Sequence, residues 1–117
     1  MTVVYQYPKC STCRKAVKWL EANNHTVDLR HIVEETPSAD ELRAAMERSD
    51  LPIRRFFNTS GKAYREGNYK EKVGDMSTAD AAEALAANGM LIKRPLVIAP
   101  NFVLVGFKED AWAEAFD

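Results

Sequence analysis

The chain's two cysteines stand three residues apart, in Cys10-Ser11-Thr12-Cys13, at the junction of two short runs of opposite periodicity. Before them, Val3-Val4-Tyr5-Gln6-Tyr7 is β-branched and aromatic and ends at Pro8, which predicts a strand. After them, Ala16, Val17 and Leu20 form an apolar stripe, with Arg14, Lys15, Lys18 and Glu21 mostly off it, which predicts a helix from Ser11 to Asn23. A strand feeding a helix through a cysteine restricts the chain to folds that open β-α. It also shapes the chemistry of Cys10. The first amides of a helix lack intrahelical partners and the helix dipole is positive there, so a thiolate is stabilised. Lys9, Arg14 and Lys15 add positive charge nearby. Cys13, one turn later, reaches the same sulfur. The expected chemistry is attack by Cys10 on an electrophile and resolution by Cys13 as a Cys10–Cys13 disulfide.

The rest of the chain extends this opening. Thr26 to Val33 alternates, with Val27, Leu29, His31 and Val33 on one face, as a second strand would. Ser38 with Glu41 forms a capping box ahead of a helix whose buried face is Leu42, Ala45 and Met46. Pro52 begins a short apolar turn with Ile53, Phe56 and Phe57, and Asn58-Thr59-Ser60-Gly61 is a loop signal. Ser77 with Asp80 caps an alanine-rich helix that runs to Asn88 and stops at Gly89, read as its C′ residue. Leu96-Val97-Ile98 and Phe102-Val103-Leu104-Val105 are strands joined by Ala99-Pro100-Asn101 in a hairpin. Glu109 to Phe116 closes the chain as a helix with Trp112, Ala113 and Phe116 on one face. The order β-α-β-α…α-β-β-α is that of an α/β, thioredoxin-like fold. It predicts a mixed four-stranded sheet flanked by helices with a helical insertion, in a single domain over residues 1–117.

Composition excludes several functions. Sixteen Lys and Arg against seventeen Asp and Glu give a net charge of −1, which argues against bulk binding of nucleic acid or of anionic membranes. No apolar run approaches the roughly 20 residues that span a bilayer, and the first residues lack a signal peptide's charged start and long apolar stretch, so a cytoplasmic protein is expected. In a reducing compartment a close cysteine pair is more often redox-active or metal-binding than structural. Cys10-x2-Cys13-x11-His25-x5-His31 approaches a zinc spacing, but its central gap is short. Its cysteines also precede a helix rather than sit on a hairpin, so no metal site is assigned. Residues 54–72 hold six basic and two acidic side chains, while residues 34–50 hold six acidic and two basic ones, an opposed pair of excesses hidden in the near-zero total. Solvated faces are the simplest reading of both.

Lys93-Arg94-Pro95 stands immediately before the third strand. Proline at a strand start costs no ladder bond. In a thioredoxin-like fold, however, a cis-proline opens that strand and packs against the helix-opening cysteine. That context makes Pro95 cis and brings Arg94, a fixed cation, beside Cys10.

Tyr7-Pro8-Lys9-Cys10-Ser11-Thr12-Cys13-Arg14-Lys15-Ala16, Gly89-Met90-Leu91-Ile92-Lys93-Arg94-Pro95-Leu96-Val97 and Val105-Gly106-Phe107 together resemble the ArsC/Spx family. That family comprises glutaredoxin-coupled arsenate reductases, YffB-like proteins and Spx redox regulators. The resemblance implies that Cys10 is the nucleophile and that Arg94 precedes the family's cis-proline, Pro95. With Arg94, Pro95 and Asn58, the helix-start residues Ser11, Thr12 and Arg14 are the expected substrate contacts. It further implies a small oxyanion or a thiol/disulfide as substrate. Glutathione, glutaredoxin or thioredoxin would donate electrons, with no bound cofactor and a monomeric protein. Two of the family's oxyanion-holding arginines have no counterpart here: Asn58 follows the short apolar helix, and Gly106-Phe107 follows the last strand. Arg54, Arg55 and Lys62 lie near enough in sequence to substitute in part. Losing two charged donors costs about 1.5–3 kcal/mol each, so weak arsenate reduction is expected. Cys13 resembles the second cysteine of the Spx branch, which implies the alternative of a redox-sensing regulator that binds RNA polymerase. The chain ends at Asp117 without that branch's basic extension.

Overall fold

The computed structural model of the chain describes residues 1–116. Strand β1 (Val3–Gln6) occupies an inner position of a four-stranded sheet ordered β2-β1-β3-β4. Helix α1 (Ser11–Ala22) carries the chain back so that β2 (Asp28–His31) runs parallel to β1, with Val3 opposite Asp28 and Gln6 opposite His31. Parallel neighbours require such a crossover. On the other side of β1, β3 (Leu96–Ile98) pairs antiparallel, with Val4 opposite Val97. The turn at residues 99–101 then folds β4 (Val103–Val105) back along β3, closed by the Ala99 amide donating to the Phe102 carbonyl at 2.9 Å. This mixed sheet has the thioredoxin-like arrangement expected from the element order.

Alternation along β1 divides the core. Val4 faces α1 and packs with Ala16, Leu20, Val97 and Trp112, whereas Tyr5 faces the opposite layer with Leu42, Phe56, Phe57 and Leu85. The first of these layers is closed by α6 (Glu109–Phe116), whose Trp112 indole donates to the Gly106 carbonyl at 3.0 Å. Gly106 takes φ +78, in the left-handed region, and its amide donates to the Pro95 carbonyl at 2.9 Å. The second layer is the helical insertion: α2 (Ala39–Ser49), a 3-10 turn over Ile53–Phe56, α3 (Lys62–Glu66), α4 (Tyr69–Lys72) and α5 (Thr78–Ala87). The Ser38–Glu41 capping box forms in full at the start of α2, and Ser77 accepts from the Asp80 amide at the start of α5.

Glu41 has a second bond. While one carboxylate oxygen closes the capping box, the other accepts from the buried Tyr5 hydroxyl at 3.1 Å. The Arg30 guanidinium donates to that same hydroxyl at 3.3 Å and pairs with Asp28 at 2.9 Å. One phenol thus ties β1, the edge strand β2 and helix α2 together.

Five expectations are corrected. The second strand is shorter than residues 26–33, and the stripe that its alternation places on one face is not its buried side. Leu29 and Val33 are 45% and 43% exposed because β2 is an edge strand, while Ile32, placed on the opposite face by the alternation, is fully buried beyond the strand's end. In α1 the buried stripe is Cys13, Ala16 and Leu20, with Val17 half-buried, so the second cysteine belongs to the apolar face. In α6, Ala113 is exposed, and the inward face is supplied by Trp112 and Phe116. Helices α3 and α4 lie within the basic segment, where no helix was expected: each is only one turn or so, too short to show a period. Gly89 is not a left-handed C′ residue. The chain leaves α5 through an extended Asn88, and Gly89 opens a 3-10 turn over Gly89–Leu91. A Cβ at position 89 would overlap the Ile32 carbonyl oxygen, so the glycine is required by close approach rather than by its φ.

Candidate active site

Cys10 is the N-cap of α1, in extended conformation at φ −85 and ψ 120. β1 ends at Gln6, and beyond it the Cys10 amide donates to the Tyr7 carbonyl at 2.9 Å, a turn that presents the thiol at the helix mouth. Burial pushes this thiol up. The amide and thiol of Cys13, the amide of Thr12 and the charge of Arg94 outweigh it, and the net effect holds Cys10 below its ordinary value. The amides act on the sulfur without closing a capping hydrogen bond. Cys13 is fully buried, and its sulfur accepts from the Tyr7 amide at 3.5 Å. Burial pushes Cys13 up to about 12, eased by the Tyr7 amide and reinforced by its hydrogen bond to Cys10 and by the charge there. Both cysteines are free.

Arg94 precedes a cis peptide bond to Pro95, and Pro95 is buried at the start of β3. The guanidinium lies over the Tyr7 ring, 5.1 Å from its centroid, and donates to the Met90 carbonyl at 3.2 Å. Tyr7 therefore touches both halves of the site. Its peptide groups hold the cysteines and its ring carries the arginine. No role was read for Tyr7 from the sequence, although the alternation of β1 places its ring on the same face as Tyr5.

Two clefts flank this centre, separated by Met90. The first, about 450 Å³, runs past Tyr7, Pro8 and Lys9 to His31, Val33 and Glu34. The second, about 380 Å³, is lined by Arg94 with Asn58, Lys62, Glu66 and Asn88. Gly89, pressed on the Ile32 carbonyl, sets Met90 between them. The expected residues are thus distributed unevenly. Ser11 and Thr12 stand exposed at the helix start. Asn58 and Arg94 share a cleft, and Lys62 joins them, with its ammonium 4.0 Å from Glu66. Arg54 and Arg55 instead line a separate hollow with Lys93, Phe57 and Thr59. Arg14 donates to the Pro8 carbonyl at 3.1 Å and borders an apolar hollow with Val17 and Leu29, outside both clefts.

The histidines of the zinc-like spacing go elsewhere. His25 stacks on Trp19 at the far end of α1, and His31 packs edge-on against Tyr7 while its Nδ1 accepts from the Val33 and Glu34 amides. Among the described residues no group of three or more His, Cys, Asp or Glu is placed to hold a metal ion. Nor is any described helix long and apolar enough to cross a membrane.

A cysteine at the mouth of α1, a buried partner one turn on and an arginine held before a cis-proline agree with a family comparison. The ArsC family model matches residues 5–115. The chain belongs to the ArsC family. Among relatives, the uncharacterized protein YusI of Bacillus subtilis is 54% identical over 110 residues, covering 94% of this chain and 93% of that protein. The structure of a possible arsenate reductase from Streptococcus mutans superposes with a TM-score of 0.90 at 38% identity, covering 97% of this chain and 98% of that one. Similarity also extends to regulators: the global transcriptional regulator Spx of Enterococcus faecalis is 28% identical over 110 residues, covering 94% of this chain and 82% of that protein. The chain is thus similar both to a possible arsenate reductase and to a transcriptional regulator.

Proposed function

We propose that this ArsC family protein is a thiol-dependent reductase in which Cys10 attacks and Cys13 resolves. The observation that carries the reading is the opposed setting of the two thiols: Cys10 is held below its ordinary value and Cys13 is raised to about 12, one turn apart. Of the two, Cys10 is the thiol that ionises more readily, and Cys13 keeps its proton near neutral pH. On a disulfide, the Cys10 thiolate forms a bond to one sulfur and expels the other as a thiolate. Arg94 and the amides of Thr12 and Cys13 face the negative charge as it moves.

The second step follows from what raises Cys13. Once Cys10 is bonded to substrate it carries no charge and no longer accepts the Cys13 hydrogen bond, so two of the influences that raise Cys13 vanish. Cys13 then releases its proton more easily, attacks the Cys10 sulfur and expels the reduced fragment. Two electrons leave the protein and a Cys10–Cys13 disulfide remains. Glutathione, glutaredoxin or thioredoxin returns the electrons. On arsenate, Cys10 forms a sulfur–arsenic bond as one arsenic oxygen leaves, protonated, as water. Cys13 then attacks the Cys10 sulfur, and the electron pair of the sulfur–arsenic bond stays on arsenic, releasing arsenite as the disulfide closes. The Arg94 cleft is poorly equipped for that oxyanion, with Asn58 in place of an arginine and the Glu66 carboxylate on its wall.

A second reading, a regulator that binds RNA polymerase and uses the Cys10–Cys13 couple only as a redox sensor, draws on the likeness to Spx. One pair of experiments separates them. Turnover of a disulfide or of arsenate with a thiol reductant, abolished in Cys10→Ser and trapped as a mixed disulfide in Cys13→Ser, supports the reductase. Absence of turnover, with RNA polymerase retained only by the oxidised protein, supports the regulator.

A further inference from the structure

We propose that Tyr7 is the positioning residue of this site, its ring seating the Arg94 guanidinium beside the cysteine pair that its peptide groups hold in place. The proposal rests on the reading of Cys10 as the reactive thiol and adds what fixes the cation beside it.

Four contacts converge on Tyr7. Its carbonyl accepts from the Cys10 amide at 2.9 Å, and its amide donates to the Cys13 sulfur at 3.5 Å. Its ring lies under Arg94 at 5.1 Å and meets the His31 imidazole edge-to-face, with centroids 5.5 Å apart. Arg94 needs such a seat. Among the described residues its guanidinium forms no ion pair, and its one recorded hydrogen bond, to the Met90 carbonyl, uses a single one of five donors. A guanidinium tethered at one nitrogen can swing. An aromatic face beneath it confines the plane while leaving the remaining N–H groups free for a ligand or for the thiolate. The peptide groups act whatever side chain stands at position 7, so the ring's part is separable by substitution.

The test reads the pH midpoint of Cys10 alkylation rather than turnover. Tyr7→Phe keeps the aromatic face and should keep the wild-type midpoint. Tyr7→Leu should slow Cys10 alkylation near neutral pH by about two- to fivefold, the range expected for a partly exposed cation–π contact. In an Arg94→Gln background, Tyr7→Leu should add nothing. To guard against misfolding of the leucine variant, fluorinated phenylalanines placed at position 7 weaken the ring's negative face at nearly constant shape. The midpoint should climb with each added fluorine when Arg94 is present. An unchanged midpoint across that series, or an equal Tyr7→Leu effect with and without Arg94, overturns the positioning role. A wild-type midpoint at the ordinary thiol value instead overturns the assignment of Cys10 itself, so the two failures are distinct.

Discussion

Burial raises the thiols of Cys10 and Cys13 alike, but the hydrogen bond that Cys13 gives Cys10 divides them, lowering the first and helping to push the second up to about 12. Removing the donor should therefore act on the partner. Cys13→Ala is expected to raise the pH midpoint of Cys10, read as thiolate absorbance in the ultraviolet. In the wild type Cys10 should titrate below its unfolded value of 9.0, with Cys13 silent until strongly alkaline pH.

The same pair gives the fold a pH signature. A thiol lowered in the native state stabilises the fold above its unfolded value of 9.0, and that contribution is lost as pH falls through its native value. A raised thiol does the reverse: the contribution of Cys13 is complete below 9.0 and is lost as pH climbs toward 12. Stability from the pair should peak around pH 9. Urea midpoints across the alkaline range check this. Cys13→Ala should flatten the fall above the peak. Tyr5, raised from 10.0 chiefly by burial, should leave a residual decline in that variant.

Gly89→Ala should destabilise the protein by about 1–3 kcal/mol, the usual cost of forcing a methyl group into packed space. The Ile32 carbonyl is backbone and has little room to retreat. Urea unfolding measures the loss. Gly74→Ala, where nothing lies within 4 Å of the added carbon, serves as the contrasting control and should change stability little.

Arsenate turnover should be weak in the wild type and should rise in Asn58→Arg, because Asn58 shares the cleft with Arg94. One new charged hydrogen bond is expected to lower KM by about tenfold, close to 1.4 kcal/mol. Arg54→Gln should have no such effect, since Arg54 lines a different hollow with Lys93. Steady-state kinetics with a thiol reductant decide it.

What the sequence made legible were the features set by local pattern. The helix-opening cysteine, both serine caps, the hairpin at residues 99–101 and the cis Arg94–Pro95 bond follow from short signals or from the element order they imply. The exposure of Leu29 and Val33 is not legible in the sequence because alternation separates two faces without telling which one is buried, and here it is the face of Ile32. Gly89 was misread because a close tertiary approach and a left-handed cap both select glycine, and only the Ile32 carbonyl tells them apart. The grouping of basic side chains was equally hidden. Lys62 reaches the Arg94 cleft while Arg54 and Arg55 do not, because the turn over residues 58–61 redirects the chain between them. Tyr7 escaped notice because its ring contact spans 87 positions, from residue 7 to residue 94.

Tyr5, Arg30 and Glu41 carry a consequence for descent. The phenol gives its proton to the glutamate and takes one from the arginine, so each of the three completes a bond the others depend on. Loss of any one leaves a polar partner unmatched at the sheet edge. Across diverging lineages the three positions should therefore be inherited or replaced together. A chain that abandons the tyrosine is then free to rewrite both the cap of α2 and the charge pattern of β2.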